Sequence, residues 1–302
     1  MRTRKPLLFI IILILLPLAV LAQRPAERNI LHNPLWDERH HVEEGERQYF
    51  NSYGGWGGFG NFGFQRDTHH LWHQDLGAFI ELWRQGDRQS LIFTGQIEFI
   101  ADPHNDINFN PRAIFWEEGF MYSLRVDENF LQLGLYHRCK HDIDNLDLNE
   151  QRSLIYSSFW GRWLQPVSLF DDQDLIIALR YDRYIITWDQ RIFENDVNPD
   201  GADQSKWDDL KRGISVNTHW QTSPNEPGRG FYLEPRFWLT QINSELKANY
   251  GVNAGINYRT EGAEFRLGLE YEYLHDSGIP ANPSDAHLVS IGFKATAPWG
   301  IR

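Results

Sequence analysis

The sequence predicts an all-β protein, an antiparallel transmembrane β-barrel of about twelve strands, with ten or fourteen as the alternatives. Three observations predict it. After residue 22 no apolar stretch is long enough to cross a bilayer as a helix. Aromatic residues make up 14% of the chain although its mean hydropathy is only −0.51. Apolar and polar residues alternate over runs of about nine to eleven residues, the length a tilted membrane strand needs.

The N-terminus is built for export. Arg2, Arg4 and Lys5 form a basic start, Leu7 to Leu16 is an unbroken apolar run, and Val20-Leu21-Ala22 offers small residues before a cut. Residues 1–22 therefore read as a signal peptide, with Gln23 the expected first mature residue. No cysteine follows the cut, so no lipid anchor is expected there. Without the three basic residues of the signal, 26 basic side chains remain against 41 acidic ones, a balance of −15. Such a surface argues against nucleic acid as a partner. Cys139 is the only cysteine, so the exported chain must be stable without an internal disulfide.

Residues 23–46 are polar, carry His32, His40 and His41, and are expected as a periplasmic segment ahead of a barrel over 47–302. Gly54 to Gly63 (GGWGGFGNFG) reads as a sharply bent or closely packed strand. Neither Lys-Ser/Thr nor a helix pattern follows these glycines, which excludes a phosphate-cradling loop. In 130–136, Leu131, Leu133 and Leu135 alternate with Gln132, Gly134 and Tyr136. Phe231, Leu233, Pro235, Phe237 and Leu239 oppose Tyr232, Glu234, Arg236 and Trp238. The runs 246–259 and 263–273 alternate equally cleanly, and several end in aromatics, as interfacial girdles do.

Connection lengths give an independent check. Short links are expected near 86–88, 126–128 and 260–262, with a moderate one at 223–228; long ones are expected at 102–111, 140–150, 189–209 and 275–285. Long and short alternate, as extracellular loops and periplasmic turns do. The link at 165–173 is of medium length, and that at 242–245 is short where a long one is expected. The strand at 75–85 then descends, so an ascending strand must precede it within 47–66. The last strand sets Val289, Ile291, Phe293, Ala295 and Ala297 against Leu288, Ser290, Gly292, Lys294 and Thr296. It resembles the C-terminal insertion strand of Gram-negative outer-membrane barrels, although the chain ends Pro298-Trp299-Gly300-Ile301-Arg302. That resemblance implies the outer membrane as location, its lipids and lipopolysaccharide as partners, and the barrel-assembly machinery during insertion. Oligomeric state stays open.

Opposite the apolar parity lie Glu234, Arg236, Lys247, Arg259, Glu264, Arg266, Glu270 and Glu272. Charges of both signs inside a barrel require pairing or water, so cross-strand ion pairs are expected. A mixed-charge interior fits a narrow or side-chain-filled lumen.

The candidate chemistry lies where the leucine parity of 131–135 continues as His137, Cys139 and His141 before an acidic loop. On parity these side chains face lipid, near the outer rim. A His beside a Cys can lower the thiol pKa and create a nucleophile. The acidic stretch Asp142, Asp144, Asp147, Asn149 and Glu150 could orient the imidazole or hold a cation, and Asn149 or Gln151 at the top of the next strand could supply a third member. His137-x-Cys139 resembles the His-x-Ser pair of outer-membrane phospholipase A and of lipid A deacylases, with Cys where Ser stands. Tyr136, His137, Cys139, His141 and Asp144 resemble, more closely, a Tyr-His-x-Ser-x-His-x-x-Asp pattern of uncharacterised exported barrels. The bland alternative is an interfacial His-Cys-His with Arg138 and Lys140 on lipid headgroups. No cofactor or metal is expected. His137 and His141 are about 13 Å apart in an unbroken strand; His69-His70-x-x-His73 reads as a solvated loop. The run at Asp142–Asp147 lacks the glycine and terminal Glu of a calcium loop. The expected function is a narrow channel or membrane scaffold without enzymatic activity. The alternative is an outer-leaflet lipid acyl hydrolase using His137 and Cys139.

Overall fold

Period-two alternation leaves each strand with one apolar face, and closure is the arrangement that pairs every edge. The computed structural model describes residues 31–36, 41–65, 68–103, 112–143, 150–170, 173–193, 210–222, 227–280 and 284–297. A two-residue strand, β1 (Arg47–Gln48), precedes twelve long ones: β2 (Tyr53–Gln65), β3 (Trp72–Gln85), β4 (Gln89–Ala101), β5 (Ala113–Val126), β6 (Asn129–Asp142), β7 (Glu150–Phe170), β8 (Gln173–Phe193), β9 (Leu210–Thr222), β10 (Gly228–Ile242), β11 (Glu245–Arg259), β12 (Glu264–Leu274) and β13 (Ala286–Ala297). Each pairs antiparallel with its sequence neighbours, and β13 pairs with β2 to close the ring. The fold is a closed twelve-strand barrel, as the alternation predicts.

One end carries the short connections after β3, β5 and β11 and is called the turn end; the other is the loop end. The two links that blurred the length pattern have local explanations. β7 and β8 run 21 residues each, so the medium link expected at 165–173 is mostly strand. At the loop end β10 and β11 are joined by Asn243-Ser244 alone, with Asn243 at φ 52°. Asn tolerates that left-handed conformation, which a tight hairpin needs. The signal-peptide reading of 1–22 lies outside the described residues.

The inward parity carries the polar residues, and the expected cross-strand pairs are there. Glu264 accepts from Arg259 at 3.0 Å and from Arg266 at 2.7 Å, and Arg266 also reaches Glu234 at 2.7 Å. Arg236 joins Glu270 and Glu272. Nearer the loop end, Arg138 bridges Glu98 (3.0 Å) and Glu117 (3.3 Å). The lumen is thus filled by paired side chains, which satisfies charges that burial alone would penalise.

Part of the N-terminal segment fills it further. Leu31 and Leu35 pack against Phe130, Leu164, Ile176 and Ala178 inside the turn end, and the His32 ring stacks on Phe79 at 5.7 Å. Gln132 donates to the His32 carbonyl at 3.1 Å, and Arg84 donates to that of Pro34 at 3.3 Å. The described residues Leu31–Trp36 therefore sit within the barrel, although the sequence reading puts the whole of 23–46 in the periplasm. A clamp holds the chain just after them: Asp87 accepts from the Val42 N–H at 3.2 Å, from Arg84 at 2.8 Å and from His41. Burial would raise the Asp87 carboxyl, but these donors hold it below its ordinary value.

Close approach explains one central glycine. A Cβ on Gly134 would lie 2.4 Å from the Trp160 indole. Trp160 in turn supports the guanidinium of Arg180 over its ring at 4.6 Å. Gly134→Val is expected to destabilise the barrel by about 1–3 kcal/mol through overpacking. Equilibrium urea unfolding in detergent checks this; an unchanged midpoint would show that the indole moves aside freely.

Candidate active site on the outward face

Three neighbouring strands bring polar side chains together on the mainly apolar outward face. His137 on β6 shares its parity with the exposed Leu133 and Leu135, Ser157 on β7 with Phe159 and Trp163, and Glu118 on β5 with Trp116 and Phe120. All three therefore point away from the lumen. They are also in register: Glu118 is the cross-strand partner of His137, and His137 that of Ser157. His137 Nδ1 lies 3.0 Å from Ser157 Oγ. Glu118, on the other flank of the imidazole, has a buried Oε2 with no hydrogen-bond partner among the described residues. Facing residues on adjacent strands have Cβ atoms about 4.5–5.5 Å apart, within side-chain reach.

The row has a defined depth. One step toward the loop end, Trp116, Cys139, Ile155 and Trp188 form the next outward row, with Trp116 50% and Trp188 42% exposed. One step toward the turn end are Phe120, Leu135 and Phe159. Glu118, His137 and Ser157 thus lie between tryptophans of the kind that mark a membrane interface and the apolar trio Phe120, Leu135 and Phe159. A β-bulge in β8 adjoins Ser157: Ser157 faces Ile186 and Ser158 faces Tyr184, leaving Ile185 as the extra residue. Bulges commonly re-aim side chains beside a site.

The residues singled out from sequence fare unequally. His137, Cys139 and His141 do share the outward face of β6, but the hydrogen-bond partner of His137 is Ser157, not Cys139. Asp144, Asp147 and Asn149 lie outside the described residues. Gln151 is outward on β7 but six residues from Ser157, roughly 20 Å along the strand, and does not join the row. Arg138 and Lys140 do not reach headgroups: they face the lumen, 1% and 0% exposed, because they have the opposite parity from His137. Asp142 also turns inward, pairing with Lys140 and accepting from the Arg152 N–H at 2.5 Å. β6 runs through to Asp142, so His137 and His141 stay too far apart to share an ion. His70 and His73 are buried against Phe62, not displayed in a solvated loop. Among the described residues no group of three His, Cys, Asp or Glu is placed to hold a metal.

Sequence reasoning missed Ser157 and Glu118. The signal differed between them: Glu118 interrupts a β5 parity held by Ile114, Trp116, Phe120, Tyr122, Leu124 and Val126, whereas Ser157 shares its β7 parity with Gln151, Ser153, Gly161 and Gln165 and does not stand out. Register between strands, which sequence does not give, is what makes them neighbours of His137.

No protein-family model matches the chain, and neither does any curated protein. Among solved structures, LpxR from Salmonella typhimurium is 8% identical, covering 81% of this chain and 99% of that one at a TM-score of 0.48. An outer membrane channel from Pseudomonas putida F1 is 10% identical over 86% of this chain and 98% of that one, at a TM-score of 0.45. OmpT of Vibrio cholerae is 11% identical over 81% and 96%, at a TM-score of 0.34. At these identities and scores nothing about activity passes from them to this chain.

Proposed function

We propose that this chain is an outer-membrane barrel that hydrolyses the acyl esters of lipids in the outer leaflet. The observation that carries the reading is the outward row Glu118–His137–Ser157, with imidazole and hydroxyl in hydrogen-bond contact. An apolar outward face supports membrane insertion, since only a closed sheet leaves no backbone group unpaired in hydrocarbon. The turn end is then periplasmic and the loop end outside. Ester carbonyls of a bilayer lie just beneath the interface, the depth of this row. An ionisable Glu and His there cost stability, and ionisable residues at such a depth are by default read as functional.

The chemistry follows the logic of a serine, a base and a carboxylate. With His137 neutral and its proton on Nε2, Nδ1 takes the Ser157 proton as Oγ attacks the ester carbonyl. Glu118 accepts the Nε2–H and stabilises the imidazolium. The imidazolium then returns a proton to the departing alkoxide, leaving an acyl-Ser157. Water, deprotonated by His137, releases the fatty acid and restores the hydroxyl. Cys139 has no part in this sequence.

The lumen favours this reading over a channel. Among the described residues it is filled with ion pairs and with Leu31–Trp36, and two of its cavities, of about 90 and 40 Å³, have room for only a few waters each. Purified protein in mixed micelles should release fatty acid from ester-linked lipid and none from ether-linked lipid. Equal release by wild type and Ser157→Ala would end the proposal.

A further inference from the structure

Beyond the catalytic row, the outward face holds a pair of cations with no acid beside them among the described residues. The row one step toward the turn end runs Phe120, Leu135, Phe159 on β5 to β7 and continues as Arg183 on β8, Arg212 on β9 and Gln241 on β10. Arg183 and Arg212 are direct cross-strand partners, and both are exposed. Like charges set opposite each other on one face repel. Among the described residues neither forms an ion pair: Arg212 Nε donates to Gln241 Oε1 at 2.7 Å, and Arg183 donates to the Lys211 carbonyl at 3.4 Å. These neutral acceptors orient the guanidinium groups without neutralising them.

Arg183 stands midway along β8 within reach of Ser157, and its partner Arg212 lies nearer the loop end of its own strand. Barrel strands tilt, so a row that is deep on β6 climbs across neighbouring strands. On β9 and β10 it reaches the rim: Arg212 is two residues from the start of β9 at Leu210, and Gln241 is one residue from the end of β10 at Ile242. Arginines on a lipid-facing surface are tolerated at an interface and disfavoured deeper. Ser157 and Arg183 are separated by one diagonal step on the outward face, ~7–8 Å between Cβ atoms. That span equals the few bonds between an ester carbonyl and the phosphate of the same lipid. Guanidinium forks match phosphate oxygens in charge and in planar geometry.

We infer that Arg183 and Arg212 form a phosphate subsite, so that the substrate is an acyl-ester lipid bearing a phosphate a few bonds from the scissile carbonyl. This rests on the hydrolase reading for its meaning but not for its test. Either a glycerophospholipid or an acylated glucosamine phosphate supplies that chemistry.

Binding is measured on Ser157→Ala protein, which cannot turn the lipid over, by native mass spectrometry from detergent. The probes are phosphatidic acid against diacylglycerol of the same chains, and a phosphorylated against an unphosphorylated acylated glucosamine disaccharide. In at least one pair the phosphate-bearing lipid should bind about tenfold more tightly, and the pair that discriminates identifies the source. Adding Arg183→Gln and Arg212→Gln should remove the preference while heat-modifiable migration shows the barrel folded. Raising the salt should weaken it too. No preference in either pair, or a preference that survives both substitutions, overturns the subsite. Preserved binding preference with no ester hydrolysis by wild type would sink the hydrolase reading alone.

Discussion

Ser157→Ala should lower fatty-acid release by at least about three orders of magnitude, and His137→Ala should do the same. The two act as a unit, joined by the 3.0 Å contact between Nδ1 and Oγ, so the double variant should lose little more than either single one. Glu118→Gln removes the charge that stabilises the imidazolium but leaves both reacting groups, so its loss should be smaller, about 10²-fold or more. Cys139→Ala should retain most of the activity, because Cys139 lies one row away beside Trp116 and Ile155. Single-turnover release from mixed micelles checks all five variants, with heat-modifiable migration confirming folded barrels. Full loss on Cys139→Ala with Ser157→Ala intact would instead restore the His-Cys pair first read from the sequence.

The largest effect on stability is expected at the loop end. Arg152 is buried between two acids, pairing with Asp189 at 2.9 Å and Asp276 at 2.7 Å, and donating to the Pro280 carbonyl at 3.1 Å. It ties β7 to β8 and to the loop after β12. Arg152→Met leaves buried carboxylates without this partner and should cost about 3–5 kcal/mol in equilibrium urea unfolding. Burial would raise the Asp276 carboxyl, but Arg152, the Gly278 N–H and Arg191 hold it below its ordinary value. A depressed carboxyl contributes stability above its unfolded value, about 3.9, and loses it as pH falls through the folded value. In Arg152→Met only the Gly278 N–H and Arg191 are left to oppose burial, so less of the stabilising depression remains to be lost in acid. The gap between wild type and variant should therefore narrow as pH falls. A gap independent of pH would place the stabilisation in packing rather than charge.

The barrel was legible because its physics is local. A lipid-facing surface must be apolar and a lumen polar, so each strand declares itself by alternation, and β12 and β13 could be read almost residue by residue. The ion pair Arg259–Glu264 joins facing inward positions on neighbouring strands, as the mixed charges predict, whereas Arg236 reaches Glu270 and Glu272 across β11, which only the closed sheet shows. Less legible were features that depend on how far one strand slides along the next. β7 and β8 continue past their neighbours, which no periodicity signals. The placement of Leu31–Trp36 inside the barrel required knowing that Phe130, Leu164 and Ile176 line an open end. The site shows both cases. Parity placed His137 and Cys139 on the outward face, whereas the hydroxyl and carboxylate beside His137 come from β7 and β5 through register alone.

The most direct test of the outward catalytic row is covalent. A fluorophosphonate carrying a long alkyl chain, added to the folded barrel in detergent, should label a serine that the imidazole activates. Peptide mapping is expected to find the adduct on Ser157, absent in Ser157→Ala and strongly reduced in His137→Ala. An adduct confined to other residues, or labelling of Ser157 that is indifferent to His137, would contradict the account.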